Sequence, residues 1–232
     1  VLQADRPPLE RMLQAVLLSQ YRRKVAEKHG LALKPVILMK SRTIKESEEH
    51  AAVFNEMIRD LQAARLRELQ HGSEGVVGRA FEYFAAQQIV LEDLAAELRL
   101  DFDEHRCLSI NSKSDSEAKQ LLVNSLEDRD NPIRVIFAVD KLNEGWDVLN
   151  LFDIVRLYDT RDAKRGAPGR TTISEAQLIG RGARYFPFTL DSHPRDQRKF
   201  DGDLENELRM LEALYYHSAH NPRYIDELHT AL

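Results

Sequence analysis

An α/β layered fold with a mostly parallel sheet is predicted by three observations. Short apolar runs of strand length alternate with longer stretches of helical periodicity. Glycine, proline or acidic breaks separate them, as at His71–Gly75 and Asp130–Pro132. Polar loops follow three of the apolar runs, at 40–43, 111–113 and 140–147, and ligands of such sheets sit beyond the carboxyl ends of the strands.

The elements follow in order. Residues 9–28 read as an amphipathic helix with Leu9, Met12, Leu13, Val16, Leu17 and Val25 on one side. Pro35 opens the strand Val36–Met39. The Ser41-Arg42-Thr43 stretch caps a long helix, Ser or Thr offering the hydroxyl, and its apolar positions Ile44, Phe54, Met57, Ile58 and Leu61 recur at helical intervals. A helix is predicted near Arg79–Leu98, a strand over Cys107–Ile110, and a helix over Glu117–Leu126. A buried strand then runs from Ile133 to Val139 and breaks at Asp140, and a second apolar run covers Asp153–Tyr158. Leu204–His217 reads as a terminal helix. The domain reading is an N-terminal helix (1–34), a main domain (35–190) with a helical insertion at about 71–105, and a helical extension (191–232) leading to a further domain.

At 232 residues the chain is long enough for a sizeable core. Its apolar runs are far short of a membrane span, and its N-terminus has no secretory pattern. The single cysteine, Cys107, leaves no intrachain disulfide and points to a reducing compartment. On its apolar stretch it reads as buried and not as a nucleophile. The net charge of −5 argues against a protein that grips nucleic acid with its whole surface. Residues 161–199 depart from that balance, with nine Lys/Arg against four acids, so a local basic face is expected.

The chemistry concentrates in Gln177, Gly180, Arg181 and Arg184. On a helix, positions three and four apart are neighbours, so the amide and both guanidinium groups share a face. Arginine's planar fork suits phosphate, and Gly180 leaves room for close approach. Taken alone, the pattern fits a solvated basic helix equally well. Upstream, Asn143-Glu-Gly145-Trp146-Asp147-Val148 follows the strand that ends at Val139. Strand, acidic glycine loop, strand, then glutamine–glycine–arginine is the order of motifs five and six in superfamily-two helicases. The chain resembles the second RecA-like domain of those motors, and its wording is closest to the Res subunit of type III restriction enzymes. The resemblance runs from about Pro35 to the C-terminus and is weakest across 71–105.

That resemblance implies a RecA-like, P-loop NTPase-like three-layer fold with extra helices. It implies half of an ATP site, with Arg184 as the arginine finger, Arg181 next to it, and Gln177 near the γ-phosphate or attacking water. Gly145 and Gly180 would allow close approach, and Asp147 would meet the ribose or hold an arginine. Ser41, Arg42, Thr43, Ser112, Lys113, Lys141 and Asn143 would touch the DNA backbone. Val139 stands where many relatives carry threonine.

The other half of the site has no counterpart in the sequence. None of the ten glycines precedes a lysine, so the phosphate loop is missing, and no strand-borne acidic box appears. Asp103–Arg106 reads as a charged loop, and Glu117-Ala-Lys119, though it matches the Glu-x-Lys of restriction nucleases, falls on a helix. ATP and Mg²⁺ are therefore expected in the parent protein, with Mg²⁺ held by a first RecA-like domain. The expected partners are that domain, double-stranded DNA and a modification (methyltransferase) subunit, in bacterial or archaeal cytoplasm. No metal site is expected, since His217 and His220, three apart, lack a third ligand in pattern. Two other readings stand beside this one: the same domain in another superfamily-two DNA or RNA helicase, or a degenerate RecA-like scaffold.

Overall fold

A computed structural model describes residues 2–3, 7–111, 116–139, 150–158, 170–182, 188–190 and 197–219. In chain order the elements are β1 (Leu2–Gln3), α1 (Pro8–Lys28), β2 (Val36–Lys40), α2 (Ile44–Arg59), α3 (Ala63–His71), α4 (Gly75–Ala86) and α5 (Leu91–Asp101). Then follow β3 (Cys107–Ile110), α6 (Glu117–Asn124), β4 (Val135–Ala138), β5 (Leu151–Arg156), α7 (Arg170–Gly182) and β6 (Tyr215–Ser218). Two 3-10 segments, Glu104–Arg106 and Glu207–Glu212, precede β3 and β6.

All described strand pairs are parallel, and the sheet runs β1-β6-β5-β2-β4-β3. Parallel sheets need cover on both faces, which is why these strands read as continuous apolar runs. One face (Ile37, Met39, Val135, Phe137, Val155) packs under α1 and α2. The other (Val36, Leu38, Ile136, Ala138, Ile154) packs against Val123 of α6 and Ala176, Leu178 and Ile179 of α7. The result is the expected three-layer α/β fold of RecA-like type.

Three expectations change. Helix α1 is buried nearly all round from Arg11 to Arg22, not along one stripe. The sheet lies against one side, and α4, α5 and the 207–212 segment lie against the other. Its polar residues are therefore partnered inside: Gln20 donates to Glu97 at 3.1 Å and Asp101 at 3.0 Å, and Arg134 donates to the Ser19 hydroxyl at 3.0 Å. The helix expected over 79–98 is two, because Gln88 takes a left-handed φ of 59° between α4 and α5. Both pack on α1, in the same apolar cluster as the sheet.

The third change is at the C-terminal side. Leu204–His217 is not a helix: after the 3-10 segment, Tyr215–Ser218 pairs with β5 as a parallel strand. The tether is a buried ionic cluster. Asp153 of β5 accepts from Arg22 of α1 through Oδ2, and Asp153 Oδ1 lies 2.8 Å from His217 Nε2 of β6. Arg22 also donates to the Phe152 and Ala213 carbonyls, and its guanidinium stacks over the Phe152 and Tyr215 rings. Phe152 reaches this place through a register shift that sets Val36 opposite Leu151 but Ile37 opposite Asp153, leaving Phe152 as the extra residue of a bulge.

Candidate functional site: the carboxyl edge of the sheet

Parallel register brings the strand ends together. Lys40 aligns with Ala138 on one side and Arg156 on the other, and Ile110 aligns with Ala138. The chain after β2, β3, β4 and β5 therefore leaves from one edge. This is the arrangement the three polar loops anticipated.

Helix α7 is fixed to that edge by Glu175. Its carboxylate, fully buried, accepts from Arg156 Nε at 3.2 Å and from the Tyr158 hydroxyl at 2.6 Å, while the Arg156 guanidinium stacks 4.4 Å from the Tyr158 ring centroid. Burial first, then the Glu175 charge, pushes the Tyr158 hydroxyl well above its ordinary pKa, so it stays a donor to Glu175. Ala176, Leu178 and Ile179 face the sheet, and Ile173, Gln177 and Gly180 are exposed on the other side. A Cβ built on Gly180 meets nothing within 4 Å, so packing among the described residues does not require glycine there. Arg181 lies within the helix, one turn beyond Gln177. Arg184, Gly145 and Asp147 lie outside the described residues, as do Ser112, Lys113, Lys141 and Asn143.

The segment after β2 is described in full. Ser41 is buried, its hydroxyl 2.8 Å from His50 Nδ1, and burial holds His50 below the usual histidine pKa. Thr43 caps α2. Its hydroxyl accepts from the Glu46 amide at 3.2 Å, and the Glu46 carboxylate accepts from the amides of Thr43 and Arg42, both at 3.1 Å. Only the Arg42 and Thr43 side chains of this trio are exposed. Thr43→Ala is expected to lower stability by about 1 kcal/mol through the lost cap. Urea denaturation measures it, and an unchanged midpoint would show that the cap contributes nothing.

Asp103, Lys119 and Cys107 each have a local structural setting, while His220 lies outside the described residues. Asp103 caps the 104–106 turn by accepting from the His105 and Arg106 amides. Lys119 lies on α6 and donates to the Ser109 carbonyl at 3.0 Å. Burial pushes the Cys107 thiol up to about 12, which keeps it protonated and unreactive at neutral pH. Among the described residues no group of three or more His, Cys, Asp or Glu side chains could hold a metal, and no helix is long and apolar enough to cross a membrane. The Asp153–Arg22–His217 cluster and the Glu175 anchor are not legible in the sequence, because each joins residues far apart in it. The one local signal was an acid inside each apolar pattern.

A protein-family model described as the HI_1054_N N-terminal region matches residues 171–232, which begin inside α7. No solved structure matches the chain. An uncharacterized protein of Haemophilus influenzae is 49% identical over 70 residues, 30% of this chain and 15% of that protein. The probable type III restriction-modification enzyme HindVIP Res subunit of the same organism is 39% identical over 172 residues, 65% of this chain. The match spans 33% of that subunit, so the chain is similar to about one third of a Res subunit.

Proposed function

We propose that this chain is the second motor domain of a type III restriction Res-like DNA translocase, working with a first RecA-like domain of the same polypeptide. The observation that carries the reading is the docking of α7 by Glu175 onto Arg156 and Tyr158. It holds the Gln177 face rigidly at the carboxyl edge of a parallel sheet. The similarity to the Res subunit supports the same assignment.

The described residues fit a nucleotide's phosphate end. Gln177 offers an exposed amide, and a Cβ at Gly180 would meet none of the described residues, which leaves room among them for a group from outside the chain. In the parent, ATP with Mg²⁺ supplies the phosphoryl group to be transferred, and the first domain holds the metal. Gln177 orients the γ-phosphate or water, and Arg181 and Arg184 neutralise charge that grows there. Gly145 and Asp147 serve the nucleotide, and Arg42, Thr43, Ser112, Lys113, Lys141 and Asn143 serve the DNA backbone. Such contacts position a duplex without reading its sequence. Recognition then falls to the modification subunit.

The test is DNA-stimulated ATP turnover by the full-length parent. Gln177→Ala is expected to lower turnover about a hundredfold, the scale on which one aligned donor matters to a charged transition state. ATP binding is expected to persist. Unchanged turnover would remove Gln177 from the site, and ATP hydrolysis by the isolated chain would refute the shared-site reading.

A further inference from the structure

We infer that the cavity beside the start of β6 binds a small organic phosphate of nucleotide size, at a site separate from the α7 edge. The cavity has a volume of about 660 Å³, within the range of small-molecule sites. Tyr21 of α1, Arg79 of α4, Tyr215, the first residue of β6, and residues of the 207–212 segment are among its walls, with residues 198 and 204–206 beside them. Tyr215 aligns with Asp153, and Ala213 lies further back, so the cavity lies toward the amino ends of the strands. The row Ile110–Ala138–Lys40–Arg156 is at the other end.

The charge at the cavity is unbalanced. Arg79, Arg198 and Arg209 line it with Glu205 and Glu207. Glu207 is already committed, to Lys28 at 2.9 Å and His29 at 2.8 Å. Arg198 holds Asp201 at 2.8 Å. The Nε of Arg209 is buried without a hydrogen-bond partner, and Arg209 has no carboxylate within ion-pair distance among the described residues. A guanidinium that lines the cavity with no carboxylate beside it is a group that an anion would neutralise. Arg79 is exposed, so its guanidinium can turn toward a ligand.

The remaining wall chooses the body of that anion. Tyr21 is buried against Tyr83, ring centroids 4.9 Å apart, and Met210 and Leu204 add apolar surface. Burial, then the Glu207 charge, raises the Tyr21 pKa, so its hydroxyl remains a donor. A flat, partly apolar base or sugar on this wall, with its phosphate toward Arg209 and Arg79, uses both the apolar surface and the two guanidinium groups without a carboxylate partner among the described residues. An inorganic anion alone would leave the apolar part bare.

Calorimetric titration of the full chain with AMP at low salt tests the site. Saturable binding is expected, displaced by inorganic pyrophosphate. It should weaken at least about tenfold, near 1.4 kcal/mol, in both Arg209→Ala and Arg79→Ala. Arg79 is exposed and Arg209 half-buried, and an unchanged melting temperature in each variant shows that the fold is intact. Gln177→Ala should leave AMP binding as it was. Absence of saturable binding overturns the inference, as does binding indifferent to both arginine variants. Binding lost in Gln177→Ala would assign AMP to the α7 edge and would equally overturn it, without bearing on ATP turnover by the parent.

Discussion

Arg184→Ala in the full-length parent is expected to reduce ATP hydrolysis by about 10³–10⁵-fold while ATP still binds. Phosphoryl transfer leaves little covalent work to the protein, so positioned positive charge supplies most of the acceleration, and an arginine finger acts on this scale. On the proposed reading the ground-state nucleotide would be held mainly by the first domain's phosphate loop, so affinity should change far less than turnover. Loss in kcat with little change in binding is the signature of an interaction made only in the transition state. Arg184→Lys should recover only part of the rate, because an ammonium cannot reproduce the two-pronged guanidinium geometry. Arg181→Ala separates the two candidates: the variant with the larger fall in turnover at unchanged ATP affinity identifies the finger. Near-normal turnover in Arg184→Ala would sink the assignment.

The sheet was legible where burial writes directly into composition. Val36–Met39, Cys107–Ile110 and Ile133–Val139 were read as strands because a parallel sheet covered on both faces admits apolar residues at every position. The strand order was not legible, since nothing local says that β2 lies between β4 and β5. Helix α1 misled for the same physical reason that the strands did not. Its polar residues looked like a solvent face, yet Gln20, Arg22 and Ser19 meet partners on α5, β5 and the residue just before β4. The short strand β6 carries tyrosines and a histidine in place of aliphatics, and so read as the end of a helix. At the candidate site, the spacing of Gln177 and Gly180 on an exposed helical face was readable. The Glu175 anchor was not, because a buried glutamate and a solvated one look alike until Arg156 and Tyr158 are placed beside it. The Thr43 cap was readable, and the structure supplies it.

Asp153→Ala is expected to destabilise the fold by about 3–5 kcal/mol, the range for removing one partner of a buried ion pair. The side chains of Asp153 and Arg22 have no solvent exposure, and that of His217 has almost none. Without the carboxylate, Arg22 keeps the Phe152 and Ala213 carbonyls and two ring faces, none of which carries a compensating charge. His217 loses its Nε2 partner, and its Nδ1 already has none. Such a loss is a large fraction of the 5–15 kcal/mol that holds a typical domain together. Asp153→Asn separates charge from shape. If the Arg22 charge dominates, the asparagine variant should be nearly as unstable as alanine; if the hydrogen-bond geometry to β6 dominates, it should recover most of the loss. Replacing both partners by apolar residues of similar size, Arg22→Met with Asp153→Leu, should be milder than Asp153→Ala alone, because no uncompensated charge stays buried. Urea midpoints of the four proteins decide the matter, and a loss below about 1 kcal/mol in Asp153→Ala would mean that α1 and β6 are held by apolar packing and not by this cluster.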